Sequence, residues 1–421
     1  MNLLFLSVTD QSVHSLGKHV DLHCNYDYEN WIHGFSSLRH DLSIFDYYKF
    51  IVNNGPSATE NEIKMLVKKN KIDLIILPNM FFEIGVSLLD FLRKNNVKIL
   101  IVFFDDSQRF ENNNRYYIGL CDFIVTHESK YSLDLYKNFS CQAYFFPNYP
   151  SINFYKKLLS FKIKSKVDLS KVSFVGANIL DRCKFINKLN HEGIQVSTFG
   201  NGWPEGKISQ QKMLQIFQNS EISLNFTKSF GNKNIKQLKG RAFEVILAGG
   251  FLLTERDDEL LDYFEIGKDI DTFSNYEECK KKIIFYLDNP DQRKAMQENA
   301  LQKCISIYNF ENSWSNYLNK IENSKSTYKF ITPQKNYPKV ALKNFVNYNF
   351  SLTVARVKTK NIKLAIDQIL FCTKEISFFS NIYSKKVWLI FFQTIFFFPL
   401  ARIRFFLSKI KLLKDLKKSI S

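Results

Sequence analysis

Short apolar runs alternate with longer helix-like segments along the first 150 residues, and this alternation constrains the fold more than any other feature of the chain. The runs have the length of strands that are buried on both faces of a sheet. Strand, helix and strand at short spacing predict a parallel α/β sheet that helices cover on both sides. The predicted strands are 3–8, 74–77, 99–104 and 123–125, and the predicted helices include 60–70 and 85–95.

A second α/β run follows a hinge. The stretch FPNYPSINFY (146–155) has two prolines and several turn-forming residues, and strand and helix patterns alternate again from residue 172 onward. Asn289-Pro290 separates two helices in this run, because proline is favoured at the first position of a helix. We therefore predict two tandem Rossmann-like domains that face a cleft, with ligands at the carboxyl ends of the strands. The predicted units are 1–150, 151–321 and a basic helical extension, 322–421.

Charge and cysteine content bound the class of protein. The net charge is +17, but 19 of the 58 Lys and Arg residues and only 4 of the 41 Asp and Glu residues lie in 322–421, so this extension accounts for +15. The rest of the chain is near neutral and ordinary. The seven cysteines are scattered without a CxxC pair, which argues for a reducing compartment and against a disulfide framework or a structural zinc site. We expect no signal peptide, because 1–10 lacks a charged front and a cleavage site.

The stretch SFVGANILDR (173–182) places Gly176 and Asn178 after a predicted strand and Arg182 in the first turn of a predicted helix. Backbone N–H groups at such a turn point outward, and the helix dipole favours an anion there. A nearby cation completes a diphosphate site. An ordinary β–α turn is an equally good interpretation of one glycine.

The stretch KGRAFEVILAGGFLLTE (239–255) is more specific. Glu244 lies near the start of a predicted helix, where it can accept hydrogen bonds from the hydroxyls of a ribose, and Lys239 and Arg241 lie within one turn of it. Gly249-Gly250 lets the chain turn tightly into the next strand. The alternative is that Glu244 stabilises the N-terminus of its own helix and Gly249 is only a C-cap.

The longer block KGRAFEVILAGGFLLTERDDELLDYFEIGKDIDTF (239–273) resembles the signature of GT-B glycosyltransferases of the spore-maturation CgeB-like type. That signature has a basic residue, Phe-Glu, a helix that ends in small residues, Gly-Gly, an apolar strand and an acidic helix. The resemblance extends through YLDNPDQRKAMQENALQKCISIYNFENSW (286–314), and it covers 172–320 well and 1–150 loosely. Related enzymes often have two glutamates spaced E-x7-E; Glu244 matches the second, whereas Lys236 stands at the first.

The resemblance implies that a sugar moves from a nucleotide-sugar donor to a glycan or glycoconjugate acceptor that the first domain holds, without a cofactor and in the synthesis of a cell-surface polysaccharide or glycoconjugate. Helix N-termini, Lys and Arg can stabilise the departing diphosphate without a metal ion. We interpret Asp257-Asp258-Glu259 as a solvated helix start. A dinucleotide-dependent oxidoreductase is set aside because no GxGxxG occurs. The alternative is a non-catalytic GT-B protein that acts as a membrane-bound scaffold.

Three residues of the first domain are candidates for the catalytic base. The strand in ILIVFFDDSQRF (99–110) ends in Asp105-Asp106, where the family has an acidic pair, and a carboxylate there faces the cleft and can deprotonate an acceptor hydroxyl. The alternative is a turn that the aspartates cap. His127 follows the next strand and is a rival base, although a lone histidine is more often structural. The loop TDQSVHSLGKH (9–19) is a further candidate for the cleft.

The C-terminal extension predicts contact with a membrane. In VWLIFFQTIFFFPLARIRFFL (387–407), only Gln393 and Thr394 are polar between 387 and 401, and this run is shorter than the roughly 20 residues that span a bilayer. With its flanking lysines it favours a helix in the interface of an anionic membrane. We therefore expect a cytoplasmic protein that contacts the inner face of the cell membrane through 385–418. The alternatives are a helix pair docked on the protein's own body and, less in keeping with the Phe content, a nucleic-acid-binding tail.

Overall fold

A computed structural model of the chain describes residues 1–7, 25–78, 82–137, 139, 141–160, 169–179, 181–228, 236–324 and 339–383. The loop 9–19 and the segment 385–418, for which a place in the cleft and a membrane contact are predicted, lie outside the described residues.

The first domain contains a six-stranded sheet in the order β2-β1-β3-β4-β5-β6, and every pair of neighbouring strands is parallel. Its strands are β1 (Asn2–Ser7), β2 (Asp41–Asp46), β3 (Leu74–Pro78), β4 (Lys98–Phe103), β5 (Phe123–Thr126) and β6 (Gln142–Phe145). Its helices are α1 (Asn25–Ser36), α2 (Tyr47–Asn54), α3 (Pro56–Lys69), α4 (Val86–Lys94), α5 (Asp106–Arg109), α6 (Arg115–Tyr117), α7 (Leu133–Tyr136) and α8 (Ile152–Ser160), with a π-helix at Phe110–Asn114 and a 3-10 helix at Lys130–Ser132.

The second domain contains a five-stranded parallel sheet in the order β11-β10-β9-β7-β8. Its strands are β7 (Val172–Val175), β8 (Val196–Phe199), β9 (Ile222–Asn225), β10 (Leu252–Glu255) and β11 (Asp271–Phe273). Its helices are α9 (Arg182–His191), α10 (Gln210–Asn219), α11 (Gly240–Leu247), α12 (Tyr276–Asp288), α13 (Pro290–Ser306) and α14 (Phe310–Asn323), with a 3-10 helix at Asp258–Asp262. The predicted α/β class with two parallel sheets is confirmed.

One hydrophobic core joins the two domains. Helix α14 leaves the second domain and packs against the first, where Trp314 contacts Trp31 and Phe35 with ring centroids 5.3 and 4.8 Å apart. The Nζ of Lys98 donates to the carbonyl of Ile321 at 2.6 Å, at the end of this helix. The chain therefore crosses between the domains twice, at the hinge and at α14.

Two further helices, α15 (Lys339–Lys358) and α16 (Ile362–Tyr383), form a hairpin that docks on the first domain. Helices α3 and α4 begin after Gly55 and Gly85, which have no side chain to cap the free N–H groups. Helix α16 supplies both caps: Asp367 accepts from the N–H of Ser57 at 3.2 Å, and Glu375 accepts from that of Val86 at 2.6 Å. Within the described residues, no helix is long and apolar enough to cross a membrane.

Candidate active site

The second sheet has a topological switch point between β7 and β9. Helix α9, which follows β7, packs with α12 on one face of the sheet, whereas α10 and α11 cover the other face. The two connections therefore leave adjacent strands in opposite directions and open a crevice at the carboxyl ends of those strands. The N-termini of α9 and α11 both lie at this crevice, so a ligand there meets free backbone N–H groups on two sides.

Lys239 is the N-cap residue of α11, and its side chain lies in the crevice between the two domains. Burial lowers its pKa from 10.5 to about 8, and Arg182 acts in the same direction. Three nearby carboxylates partly oppose this decrease in the pKa: those of Asp105 and Glu128 in the first domain and that of Asp257 in the second. The ammonium donates to Gln237. The crevice therefore holds a cation at a place where water does little to stabilise it.

Arg182 is the second cation of the crevice. Burial lowers its pKa to about 10, Arg241 adds to this effect, and Glu255 opposes it. Its guanidinium donates to the carbonyl of Ala177 at 2.9 Å and lies 5.8 Å from the ring of Phe226. No carboxylate lies within ion-pair distance of it in the part of the chain that the structure describes, so the side chain has hydrogen-bond donors left for an anion.

Arg241 and Glu244 form an ion pair on the first two turns of α11. The guanidinium of Arg241 lies 5.5 Å from the ring of Phe217 and contacts Met213, so the pair faces α10. Only 7% of Glu244 is exposed. The structure thus places this carboxylate beside the crevice but engages it with Arg241, and a ribose has to share the carboxylate with that guanidinium.

Gly176 and Asn178 hold two loops of the crevice together. The carbonyl of Gly176 accepts from the indole N–H of Trp203 at 2.9 Å, and the side chain of Asn178 donates to the carbonyl of Gly202 at 3.1 Å. Gly200 has φ +126°, and a Cβ there would lie 2.4 Å from the carbonyl oxygen of Gly176. The contacts of Gly176 and Asn178 are therefore made with the β8–α10 loop, which they fix at the edge of the crevice.

Gly249 and Gly250 lie at the other end of α11, away from the crevice. Gly249 has φ +83° and ends the helix, as the sequence indicates for a C-cap,. A Cβ on Gly250 would lie 2.8 Å from the carbonyl oxygen of Phe217. These glycines set the turn into β10, and the structure does not bring them near the other predicted donor-binding residues.

The structure separates the two neighbouring aspartates of the first domain. Asp105 has the left-handed conformation (φ +53°, ψ +49°), is exposed, and faces Lys239. Asp106 is 1% exposed and accepts from Thr126, Tyr136 and, at 2.7 Å, Asn114. Burial raises its pKa to about 6 against these hydrogen bonds. Asp106 thus ties β5, α7 and the end of the π-helix together inside the domain, and only Asp105 reaches the cleft.

His127 is buried in an aromatic cluster. Its Nδ1 lies 2.7 Å from the carbonyl of Phe146, and its ring stacks on that of Phe104 at 4.4 Å between centroids. Burial lowers its pKa to about 3. A neutral imidazole with this pKa is a weak proton acceptor at neutral pH, so the geometry gives His127 a packing role at the base of the cleft.

Glu128 and Lys130, which follow β5, are not indicated as site residues by the sequence, and Glu259, which follows β10, is predicted only as part of a solvated helix start. Glu259 accepts from the backbone N–H of Lys130 at 2.5 Å, and the ammonium of Lys130 pairs with Asp262. These bonds join the domains across the cleft. Asp257 and Glu259 are buried, which raises their pKa values, so the acidic run is an interdomain contact, and only Asp258 is solvated.

No group of three His, Cys, Asp or Glu side chains is placed to hold a metal ion in the described ranges. The expectation of a metal-independent reaction stays a prediction.

Residues 182–319 match a protein-family model described as glycosyl transferase-like. The match covers about a third of the chain and includes Arg182, Lys239 and Glu244. No curated protein matches the chain. The CgeB-like type stays a prediction.

Solved structures share the fold. Anabaena Alr3699/HepE, solved in complex with UDP-glucose, superposes with a TM-score of 0.51 at 11% identity, over 76% of this chain and 100% of that one. A glycosyltransferase from Rickettsia africae ESF-5 superposes with a TM-score of 0.50 at 11% identity, over 77% and 99%. The fold of this chain, with its two parallel α/β domains, is the GT-B fold that the sequence predicts.

Proposed function

We propose that this protein is a glycosyltransferase that moves a sugar from a nucleotide-sugar donor to a glycan or glycoconjugate acceptor. One observation carries the proposal: Lys239, Arg182 and Arg241 gather at the switch point of the second sheet, and burial lowers the pKa values of the first two. A crevice that keeps cations where water is scarce is suited to a diphosphate. The family match over 182–319 and the UDP-glucose bound by Anabaena Alr3699/HepE agree with such a ligand.

The reaction needs stabilisation of its leaving group. As the acceptor oxygen bonds to the anomeric carbon, the bond from that carbon to the diphosphate breaks, and negative charge develops on the leaving oxygen. Lys239, Arg182 and the N–H groups at the start of α11 neutralise this charge. Glu244 accepts hydrogen bonds from the ribose and shares its carboxylate with Arg241. We assign the proton of the acceptor hydroxyl to Asp105, which lies across the cleft from Lys239.

A ligand screen tests the proposal. UDP, GDP and ADP are added to the full-length protein, and the melting temperature is measured; we expect one of them to raise it, and the matching nucleotide sugars to release the free diphosphate on incubation. Glu244→Ala should lose the stabilisation by the nucleotide. Glu265→Ala, at an exposed position of the same domain, should keep it. If none of these diphosphates changes the melting temperature, the proposed function is refuted.

A non-catalytic GT-B scaffold is the second candidate. Two observations favour it: Glu244 is engaged by Arg241, and Lys236, in the place of the first glutamate, donates to the carbonyl of Arg256 at 2.5 Å. The same screen separates the two candidates. A scaffold binds a diphosphate without releasing it from any nucleotide sugar, whereas an enzyme hydrolyses its donor slowly even without an acceptor.

We also propose that the protein works at the inner face of the cell membrane. Beyond the predicted contact of 385–418, an apolar stripe on α16 supports this location. Its inner face is buried against the first domain, but Ile362, Ile366, Ile369 and Leu370 are each about half exposed. Their spacing puts them on one side of the helix, and exposed lysines lie beside them at 360, 363 and 374. An apolar stripe with a basic border fits the interface of an anionic bilayer.

Sedimentation with vesicles tests this location. We expect the full-length protein to bind vesicles that contain phosphatidylglycerol and not vesicles of phosphatidylcholine alone. The double variant Ile366→Glu, Leu370→Glu should bind several-fold more weakly. The control, Met65→Glu with Ile284→Glu, changes two exposed apolar residues elsewhere and should bind normally. Equal binding by both double variants would exclude the stripe as the contact.

A further inference from the structure

A pocket of about 250 Å³ lies next to the crevice, on the face of the second sheet that α9 and α12 cover. Three phenylalanines form its floor, and four charged side chains line it. Phe185 contacts Phe226 and Phe273 with ring centroids 5.3 and 5.7 Å apart. The charged side chains are Asp181, Arg182, Lys228 and Glu255.

Arg182 belongs to both the crevice and the pocket. The pair Arg241–Glu244 lies on the opposite face of the sheet, against α10. A diphosphate held at Arg182 therefore has two directions open to its substituents. The group on one phosphate reaches towards Glu244, and the group on the other reaches into the pocket.

The polar groups of the pocket suit a ligand that carries hydroxyl groups. Glu255 is held in place because its Oε2 accepts from the backbone N–H and the hydroxyl of Thr227, at 3.1 and 3.3 Å. Its Oε1 lies 3.7 Å from the Nζ of Lys228. A carboxylate only accepts hydrogen bonds, and hydroxyls donate them.

Two other polar residues of the wall already have partners. Ser274 donates its N–H to Glu278 at 2.8 Å, and Asn275 accepts from the N–H of Glu278 at 3.0 Å, so both complete the cap of α12. The pocket thus presents two carboxylates to a ligand, the exposed one of Asp181 and that of Glu255, and Thr227 holds the second in place. The aromatic floor suits the C–H face of a saccharide ring.

We infer that this pocket holds the sugar ring of the donor and that Glu255 is a specificity-determining residue that accepts hydrogen bonds from the sugar hydroxyls. The inference rests on the proposed function. Lys236, which stands at the position of the first glutamate of related enzymes, donates to the carbonyl of Arg256, the residue after Glu255. The carboxylate next to it is therefore supplied by β10.

The test compares a nucleotide sugar with its own diphosphate. Dissociation constants of UDP, GDP and a panel of UDP- and GDP-linked hexoses are measured by calorimetry with the full-length protein. We expect at least one nucleotide sugar to bind more tightly than its diphosphate. Glu255→Gln should reduce that preference at least tenfold while it changes the affinity for the diphosphate less than twofold. Phe185→Leu, which alters only the floor of the pocket, should also reduce the preference for the nucleotide sugar over its diphosphate.

The outcomes separate the two proposals. Glu277→Gln, at an exposed carboxylate on α12 outside the pocket, should behave like the unmodified protein. Suppose that the diphosphate binds but that Glu255→Gln lowers the affinities for the nucleotide sugar and the diphosphate equally, or lowers neither. The inference is then refuted and the proposed function stands. If no diphosphate binds, both are refuted. The melting temperature without ligand shows that each variant is folded.

Discussion

Replacing Lys239 by methionine tests whether the crevice binds a diphosphate through a half-buried cation. Burial lowers the pKa of Lys239 from 10.5 to about 8, and since a tenfold change in proton affinity corresponds to about 1.4 kcal/mol, the charged form costs on the order of 3 kcal/mol in the crevice. A bound diphosphate adds negative charge beside the ammonium and raises its pKa again. The diphosphate therefore selects the protonated lysine.

The sign of the pH dependence follows from this selection. Above pH 8 the free protein loses the proton of Lys239, so the affinity for the diphosphate should fall about tenfold for each further pH unit, or roughly a hundredfold between pH 8 and 10. The stability of the unliganded protein depends on pH in the opposite direction. The unfolded chain holds the proton up to pH 10.5, so the free energy of unfolding should rise between pH 8 and 10.5.

Calorimetric titration of the stabilising diphosphate at pH 7, 8, 9 and 10 measures both the affinity and its slope. Lys239→Met should weaken binding about 10- to 100-fold at pH 7, the range for a hydrogen bond to a charged group, and should remove the slope above pH 8. Lys294→Met, at an exposed position of α13, should change neither. If Lys239→Met keeps the slope, another group titrates and Lys239 does not contact the diphosphate.

Further variants test the proposed catalytic base, a close backbone contact at the crevice and the docked hairpin. Asp105→Asn should lower the rate of transfer at least a hundredfold without changing the dissociation constant of the diphosphate, whereas Asp106→Asn, in its buried hydrogen-bonded place, should mainly lower the melting temperature. Gly200→Ala should lower the free energy of unfolding by about 2 kcal/mol or more because its Cβ meets the carbonyl of Gly176,; Gly193→Ala, which has a positive φ but open space, should cost about half of that. Burial raises the pKa of Glu375 to about 7, so the folded protein should lose stability as the pH rises from about 4.5 through 7, and Glu375→Gln should remove this dependence in denaturant titrations.

The central strands and the crevice are predictable from the sequence because they depend on continuous apolar runs. Strand β3 is buried along its whole length and β4 at every residue after Lys98. Such runs predict a parallel sheet and, with it, a ligand site at a switch point. The helix with Glu244 begins and ends where Lys239 and Gly249 predict. Edge strands lack this signal: β2 (DLSIFD) alternates polar and apolar residues and was not predicted.

The roles of neighbouring residues at the site are not predictable from local pattern. Asp105 and Asp106 are adjacent and chemically identical, yet one faces the cleft and the other is buried. The difference comes from the left-handed conformation at Asp105 and from Thr126 and Tyr136, which lie 20 and 30 residues from Asp106 in the chain. The low pKa of His127 likewise depends on rings contributed by distant segments, Trp31 and Phe146 among them.

The hairpin of α15 and α16 explains how the acidic and basic residues of this part of the C-terminal extension are distributed. Two of the four acidic residues in 322–421 are Asp367 and Glu375, and both point inward, where they cap α3 and α4. Carboxylates are favourable at helix N-termini, because the dipole and the free N–H groups both attract them. The two carboxylates thus contact the first domain, while lysines border the apolar stripe on the outer side of α16. This asymmetry fixes the hairpin to the first domain and leaves a basic, apolar surface outward, as the proposed contact with an anionic bilayer requires.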